Sequence, residues 1–343
     1  MTIRKLVFLV QATLWVFVAT VPQASGQNIH VGARLGVLSL PSAASGQDQL
    51  NGIATNGRDR VLVSEATTRD LLVFTADGRL LSRSSLLADH VASPGAMAFL
   101  SRTTFAVMDR GRPYILWARL SNDSAMFVAD GKPHIGATSG ACSLNGIFVV
   151  AGFEGIPEKS QILHEVNAHG RLVRSFGRPL GGTDSTGWAA RLLLVPSLVA
   201  CTSARAEVTI ASQISGEVRA ITEQGGVTWT FTPHPFTPMT YQTRSSGEMR
   251  FVWPPDSLWD KVETIFMATP SVVALQVTHL FGIHPDSALS VSTYFLERQT
   301  GRLISTQSDL PLVRAVLPGR LYTTGKDLRP VSLEVHAFNW GVR

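Results

Sequence analysis

Runs of four to six residues, either apolar throughout or alternating apolar with polar, recur along the chain, and Gly, Asn and Asp punctuate them. That period and length predict strands joined by tight turns. The runs group into six units. Unit one opens at Gly52-Ile53-Ala54 and continues through residues 61–64 and 71–74, the turn Ala76-Asp77-Gly78, and Leu80-Leu81. Unit two opens at 96–99, continues through 105–108 and 114–117, and turns at Ser121-Asn122-Asp123. Units three and four open near Gly140 and Leu198, unit five at 272–275, and unit six at Val313. Gly-Arg-Leu appears at one equivalent place in three of them: Gly78-Arg79-Leu80, Gly170-Arg171-Leu172 and Gly301-Arg302-Leu303. Each copy follows a polar turn, where glycine supplies the positive φ that other residues resist.

Gly78 and Gly170 lie 92 residues apart, two units of 46, and four-stranded propeller blades repeat at about 40–50 residues. Unit six has no fourth strand of its own, while residues 30–38 near the front of the chain alternate like a spare one. The pattern therefore predicts an all-β, six-bladed β-propeller in which His30 to Leu38 complete the last blade. Ring closure of this kind hides strand edges that would invite aggregation. Residues 232–269 break the repeat. They begin with Pro233-His234-Pro235-Phe236-Thr237-Pro238, and their apolar positions 258, 259, 262, 265 and 266 are spaced as on a helix, with Ser257 and Asp260 placed like a capping box. The expectation is an insertion carrying a short helix between blades four and five. The alternative is a seventh blade using 249–253 and 262–267 as strands.

Val63-Ser64-Glu65 followed by Asp77-Gly78, and Val107-Met108-Asp109, resemble the blades of the six-bladed β-propeller superfamily near its NHL and TolB-like groups. The asparagine that such blades carry in the intervening turn is absent from both units. The resemblance covers nearly all of residues 27–343, at the level of pattern. It implies an alternative function, since some members are metal-dependent lactonases, related hydrolases or lyases with a site at the mouth of the central channel. A hard cation such as Ca2+ needs several converging oxygens. Asn51, Asn56, Asn145 and Asp184 are the side chains that could contribute, but the inner strands read as a mostly apolar channel lining. Neither a metal site nor another cofactor is therefore predicted.

Glu65 and Asp109 end the second strand of units one and two. They form either a carboxylate rim with acid–base or cation chemistry or, as their place in the repeat favours, acceptors for turn amides. The histidines form no HExxH pattern, and His279 and His284 straddle a turn. There is no Gly-x-Ser-x-Gly elbow and no P-loop. The 232–269 insertion holds Phe236, Tyr241, Phe251, Trp253 and Trp259 beside Arg244 and Arg250, residue types enriched at binding hot spots. It is the expected contact surface for a protein or small-molecule ligand.

Charge and cysteines refine this reading. Arg4 and Lys5 precede an apolar run and then Val21-Pro22-Gln23-Ala24-Ser25-Gly26, the layout of a secretory signal peptide cleaved after Gly26. Without Arg4 and Lys5 the net charge falls from +5 to +3, spread among acids. That scatter, with export, argues against a nucleic-acid partner. No later segment is long and apolar enough to span a bilayer. Cys142 and Cys201 occupy like positions in neighbouring units, and in an oxidising compartment they form either a disulfide or two buried thiols. The expected protein is an exported binding scaffold.

Overall fold

The computed structural model describes residues 27–41, 50–135, 140–153, 161–180, 197–202, 206–243, 249–252, 258–282, 287–308 and 310–342. Among these, the strands form six four-stranded antiparallel sheets and one two-stranded sheet. Strand β1 (Gln27–Ser39) leads the chain. Blade one is β2 (Leu50–Thr55), β3 (Arg60–Glu65), β4 (Leu71–Thr75) and β5 (Leu80–Ser84), followed by a single helical turn, α1 (Leu86–His90). Blade two is β6 (Pro94–Phe99), β7 (Thr104–Asp109), β8 (Tyr114–Ser121) and β9 (Ser124–Gly131). Blade three is β10 (Ala141–Leu144), β11 (Ile147–Ala151), β12 (Leu163–Val166) and β13 (Leu172–Phe176). Blade four is β14 (Ser197–Thr202), β15 (Glu207–Ser212), β16 (Val218–Thr222) and β17 (Val227–Phe231). The hairpin β18 (Thr240–Thr243) and β19 (Met249–Val252) stands apart from the blades. Blade five is β20 (Leu258–Thr269), β21 (Val272–Phe281), β22 (Ser290–Glu297) and β23 (Leu303–Gln307). Blade six is β24 (Val313–Leu317), β25 (Arg320–Thr323) and β26 (Ser332–Val342), with β1 as its outermost strand.

The closure expected from the sequence is present: His30 pairs with Asn339, Val31 with Phe338 and Leu38 with Leu333. Two expectations for 257–275 are corrected. The segment spaced like a helix is β20, the innermost strand of blade five, so residues 272–275 belong to the second strand and not to the first. The ladder between β20 and β21 shifts register between Val262 and Thr264 and again between Met267 and Thr269. Each shift resets the two-residue alternation, which leaves apolar residues at helix-like intervals. The stretch outside the blades therefore runs only over 232–257. Among the described residues its β18–β19 hairpin builds no seventh blade.

Six apolar layers hold the ring, one between each pair of neighbouring blades. Leu62, Val73, Phe105 and Val107 pack blade one on two, and Val61, Phe74, Tyr322 and Leu333 pack blade six on one. Each sheet thus buries both faces, which is why Val61, Leu62 and Val63 are all fully inaccessible and why such strands read as unbroken apolar runs. Cross-blade hydrogen bonds add register: Trp229 Nε1 donates to the Arg298 carbonyl at 2.6 Å, and the Tyr322 hydroxyl to the Ala76 carbonyl at 2.8 Å.

The Gly-Arg-Leu copies mark the turn between the third and fourth strands of blades one, three and five. Gly78, Gly170 and Gly301 have φ of 98°, 72° and 68°, and each turn is followed by a one-residue bulge in the ladder. A side chain at Gly301 would also stand 2.6 Å from the indole of Trp229 in blade four. Blade two makes the same turn with Asn122 and Asp123, both at positive φ. Asp123 reaches back to Arg60 of blade one at 2.6 Å.

Antiparallel order puts these tight turns, and those between first and second strands, on one face of the ring. The strand ends at the opposite face are the ones joined by the longer stretches of sequence, including 40–49, 152–162, 177–196 and 232–257. No helix among the described residues is long and apolar enough to cross a membrane.

Candidate functional site

The first strands of all six blades surround a central channel. Near their starting ends, on the face of the long connections, it holds a cavity of about 200 Å³. Its wall includes the small residues Gly52, Gly95, Ala96, Gly140 and Ala141. A Cβ at Gly52 would stand 2.7 Å from the Gly95 carbonyl, and one at Gly140 2.4 Å from the Ser197 carbonyl, so glycine lets neighbouring inner strands approach here.

Charge enters this wall at three places: Arg110, Glu263 and Arg314. Arg314 donates to Glu263 Oε1 at 2.7 Å, and Lys261 Nζ lies 2.9 Å from Glu263 Oε2. Burial alone would raise the Glu263 carboxyl, but Lys261 and Arg314 outweigh it and hold the group below its ordinary range. These three side chains satisfy one another. Arg110 does not join them. It leaves the end of β7 and crosses over Gly95, where a Cβ would stand 2.8 Å from its Cγ. Its guanidinium makes no ion pair or side-chain hydrogen bond among the described residues. It is open to water in the channel, yet the surrounding protein desolvates it enough to lower its pKa.

No protein-family model and no curated protein sequence matches the chain. Solved structures do. A member of the DUF4221 family from Bacteroides vulgatus superposes with a TM-score of 0.61 at 7% identity, covering 93% of this chain and all of that one. A Bacteroides fragilis protein named as a candidate exported protein matches at 0.50 with 10% identity, over 86% of this chain and 83% of its own. Virginiamycin B lyase from Staphylococcus aureus, with quinupristin bound, matches at 0.47 with 11% identity over 91% and 99%. The likeness is one of fold. The chain is a six-bladed β-propeller, and similarity of this size carries no chemistry from one protein to another.

The rim carboxylates are structural acceptors. Asp109 is fully buried and takes the amides of Ala92, Ser93 and Gly111 at 2.8, 3.1 and 2.8 Å, with Arg112 Nε at 2.9 Å. Glu65, equally buried, accepts from Thr68 at 2.8 Å and faces Arg83. Neither lines the channel cavity. Of the oxygen donors considered for a cation, Asn51 donates its amide nitrogen to the Pro94 carbonyl. The Asn56 oxygen is occupied by the amides of residues 58, 59 and 60, each at 3.0 Å. Asn145 forms the left-handed turn between β10 and β11, and Asp184 lies outside the described residues. Among the described residues no three His, Cys, Asp or Glu side chains cluster as metal ligands.

Of the residues expected to form an aromatic contact surface, Trp259 and Phe236 are described with their side chains. Trp259 is a core residue, 7% exposed, packed with Leu280, Val291 and Leu312, and its Nε1 donates to the Gly282 carbonyl at 2.9 Å. It is buried because β20 is a blade strand and its alternate residues face blade six. Phe236 is half-buried against the blade-four and blade-five layer and sits over Gly216. Tyr241 and Arg250 lie on the paired strands β18 and β19. Arg244, Trp253 and His284 fall outside the described residues. Trp259→Ala is therefore expected to cost stability, by about 3–5 kcal/mol, rather than to weaken capture of a partner. A urea titration would show it as a lowered midpoint, and an unchanged midpoint would contradict the burial.

Cys142 and Cys201 form a disulfide between β10 and β14, with Cα atoms 5.6 Å apart. It ties the inner strands of blades three and four. On the face of tight turns a second cavity, about 770 Å³, opens between blades four, five and six, lined by Phe266, Met267, Val316, Phe338 and Trp340 among others. Sequence reasoning followed only the first strand of each unit into the channel, and so missed Arg110, which comes from a second strand. The signal available was a bare glycine, Gly95, opposite an arginine that directly follows the structural aspartate.

Proposed function

We propose that the protein is an exported binding propeller that takes an anionic group of its ligand, a carboxylate or phosphate, at the channel mouth on the face of long connections. The observation that carries this reading is Arg110, a guanidinium held over Gly95 at the cavity with no ion-pair or hydrogen-bond partner among the described residues, while the other charges of the lining, Glu263 and Arg314, satisfy each other. Desolvated cationic donors that lack a protein partner gain most from an incoming anion, and the planar guanidinium suits two-point recognition. Export is supported by the leader pattern of residues 1–26 and by the disulfide, a linkage suited to an oxidising compartment.

Calorimetric titration of the full chain with citrate and with inorganic phosphate tests the site and separates the two anion classes. Binding of one or both is expected, weakened about 10–100-fold by Arg110→Gln with the fold intact, as loss of a charged hydrogen bond predicts. Absence of binding to wild type, or equal affinity in the variant, would refute it.

A further inference from the structure

Blade five carries a second polar constellation, away from the channel. Asp260 on β20 stands opposite His279 on β21, and Ser292 follows on the adjacent strand β22. His279 Nδ1 lies 2.6 Å from Asp260 Oδ1, and His279 Nε2 lies 2.9 Å from Ser292 Oγ. The other Asp260 oxygen accepts the Thr237 amide at 2.6 Å, which fixes the carboxylate from the segment crossing the top of blades four and five. An ionised carboxylate can only accept, so the hydrogen-bond network assigns the imidazole proton to Nδ1. Nε2 then presents its lone pair to the Ser292 hydroxyl.

Access is graded along this chain of groups. The Asp260 side chain is 7% exposed and that of His279 25%, while Ser292 is half-buried. One register step outward on the same face lie Leu258 and Phe281, both largely exposed, with Leu289 exposed beside them on the rim. β23 pairs with β22 only from Thr293 onward, so the backbone of residues 290–292 is outside that ladder. Backbone of this kind can offer N–H donors to a developing oxyanion.

We propose that Ser292, His279 and Asp260 act as nucleophile, general base and orienting carboxylate in the hydrolysis of esters with apolar acyl groups. The geometry is that of an activated hydroxyl: nucleophile and base within hydrogen-bond reach, the base held by a third group. Ser292 Oγ attacks the ester carbonyl carbon and its proton passes to His279 Nε2. The bond to the alcohol oxygen breaks, and that oxygen leaves with the proton from Nε2. Water then attacks the acyl-serine, gives a proton to Nε2, and the carboxylic acid departs as Oγ recovers the proton. Leu258, Phe281 and Leu289 would receive the acyl chain. This activity is independent of anion binding at Arg110.

The full chain is to be treated with a fluorophosphonate probe and mapped by mass spectrometry, and its hydrolysis of p-nitrophenyl acetate and butyrate measured. Labelling at Ser292 is expected, with butyrate preferred. Ser292→Ala should remove the label and lower the rate by about 10³-fold or more, and His279→Gln should do likewise. Folded wild-type protein that is not labelled at Ser292 would overturn the proposal, as would a folded Ser292→Ala variant that keeps the esterase rate. Should Ser292→Ala fail to fold, the wild-type labelling decides alone.

Discussion

Removal of residues 27–39 should leave a chain that no longer unfolds as one cooperative unit. β1 supplies the outer edge of blade six and buries Ile29 and Leu38, each 1% exposed. Full burial of such side chains is worth about 1.5–3 kcal/mol each. Further ties are lost with it: the Gln307 amide bonds the Ile29 carbonyl at 3.2 Å, and the Gly78 turn of blade one seats on Val37. Together these losses are comparable with the total stability of about 5–15 kcal/mol typical of a native protein. The deletion also bares the edge of β26, which then templates association. The expected signs are a broad urea transition, dye binding by exposed apolar surface, and partial recovery when a peptide of residues 27–41 is added. A deletion variant with an unchanged, sharp transition would show that the ring does not depend on this strand.

The second large effect is at Asp109. Asp109→Ala would strand the amides of Ala92, Ser93 and Gly111, and an unsatisfied buried donor costs about 1–3 kcal/mol. A loss of about 3 kcal/mol or more is expected. Burial acts to raise this carboxyl, but the Ala92 amide, Arg112 and the amides of Gly111 and Ser93 outweigh it and hold it below the ordinary aspartate range. A carboxyl depressed in the folded state contributes stability above its unfolded value of about 3.9 and loses it as pH falls through the folded value. The gap in unfolding free energy between wild type and Asp109→Asn should therefore hold from neutral pH to about 4 and shrink below that. Urea titrations across this range would measure it. A gap that persists undiminished in strong acid would contradict the assignment.

Much of this architecture is written in short-range chemistry. The Gly-Arg-Leu turns were readable because a left-handed residue followed by a bulge restricts the sequence at that point. The closing strand was readable because blade six is one strand short and residues 30–38 alternate. Blade five's inner strand was not readable: two bulges and burial on both faces erase the period of two in β20. That single misreading carried others with it. With 258–266 taken as a helix, Trp259 stood out as a surface aromatic, and Asp260 could not be placed opposite His279. Arg110 escaped for a different reason. Its position in the channel depends on the absence of a side chain at Gly95, a relation between two blade-two strands that no local pattern displays.

The pairing of Gln27 with Val342 has a mechanical consequence. Tension applied across these two positions acts on one end of the β1–β26 ladder, so its rungs would part in succession at low load instead of shearing together. Blade six would peel first. The Cys142–Cys201 bridge, spanning 59 positions of sequence, would then keep the intervening length out of the extended thread until the bridge itself was reduced.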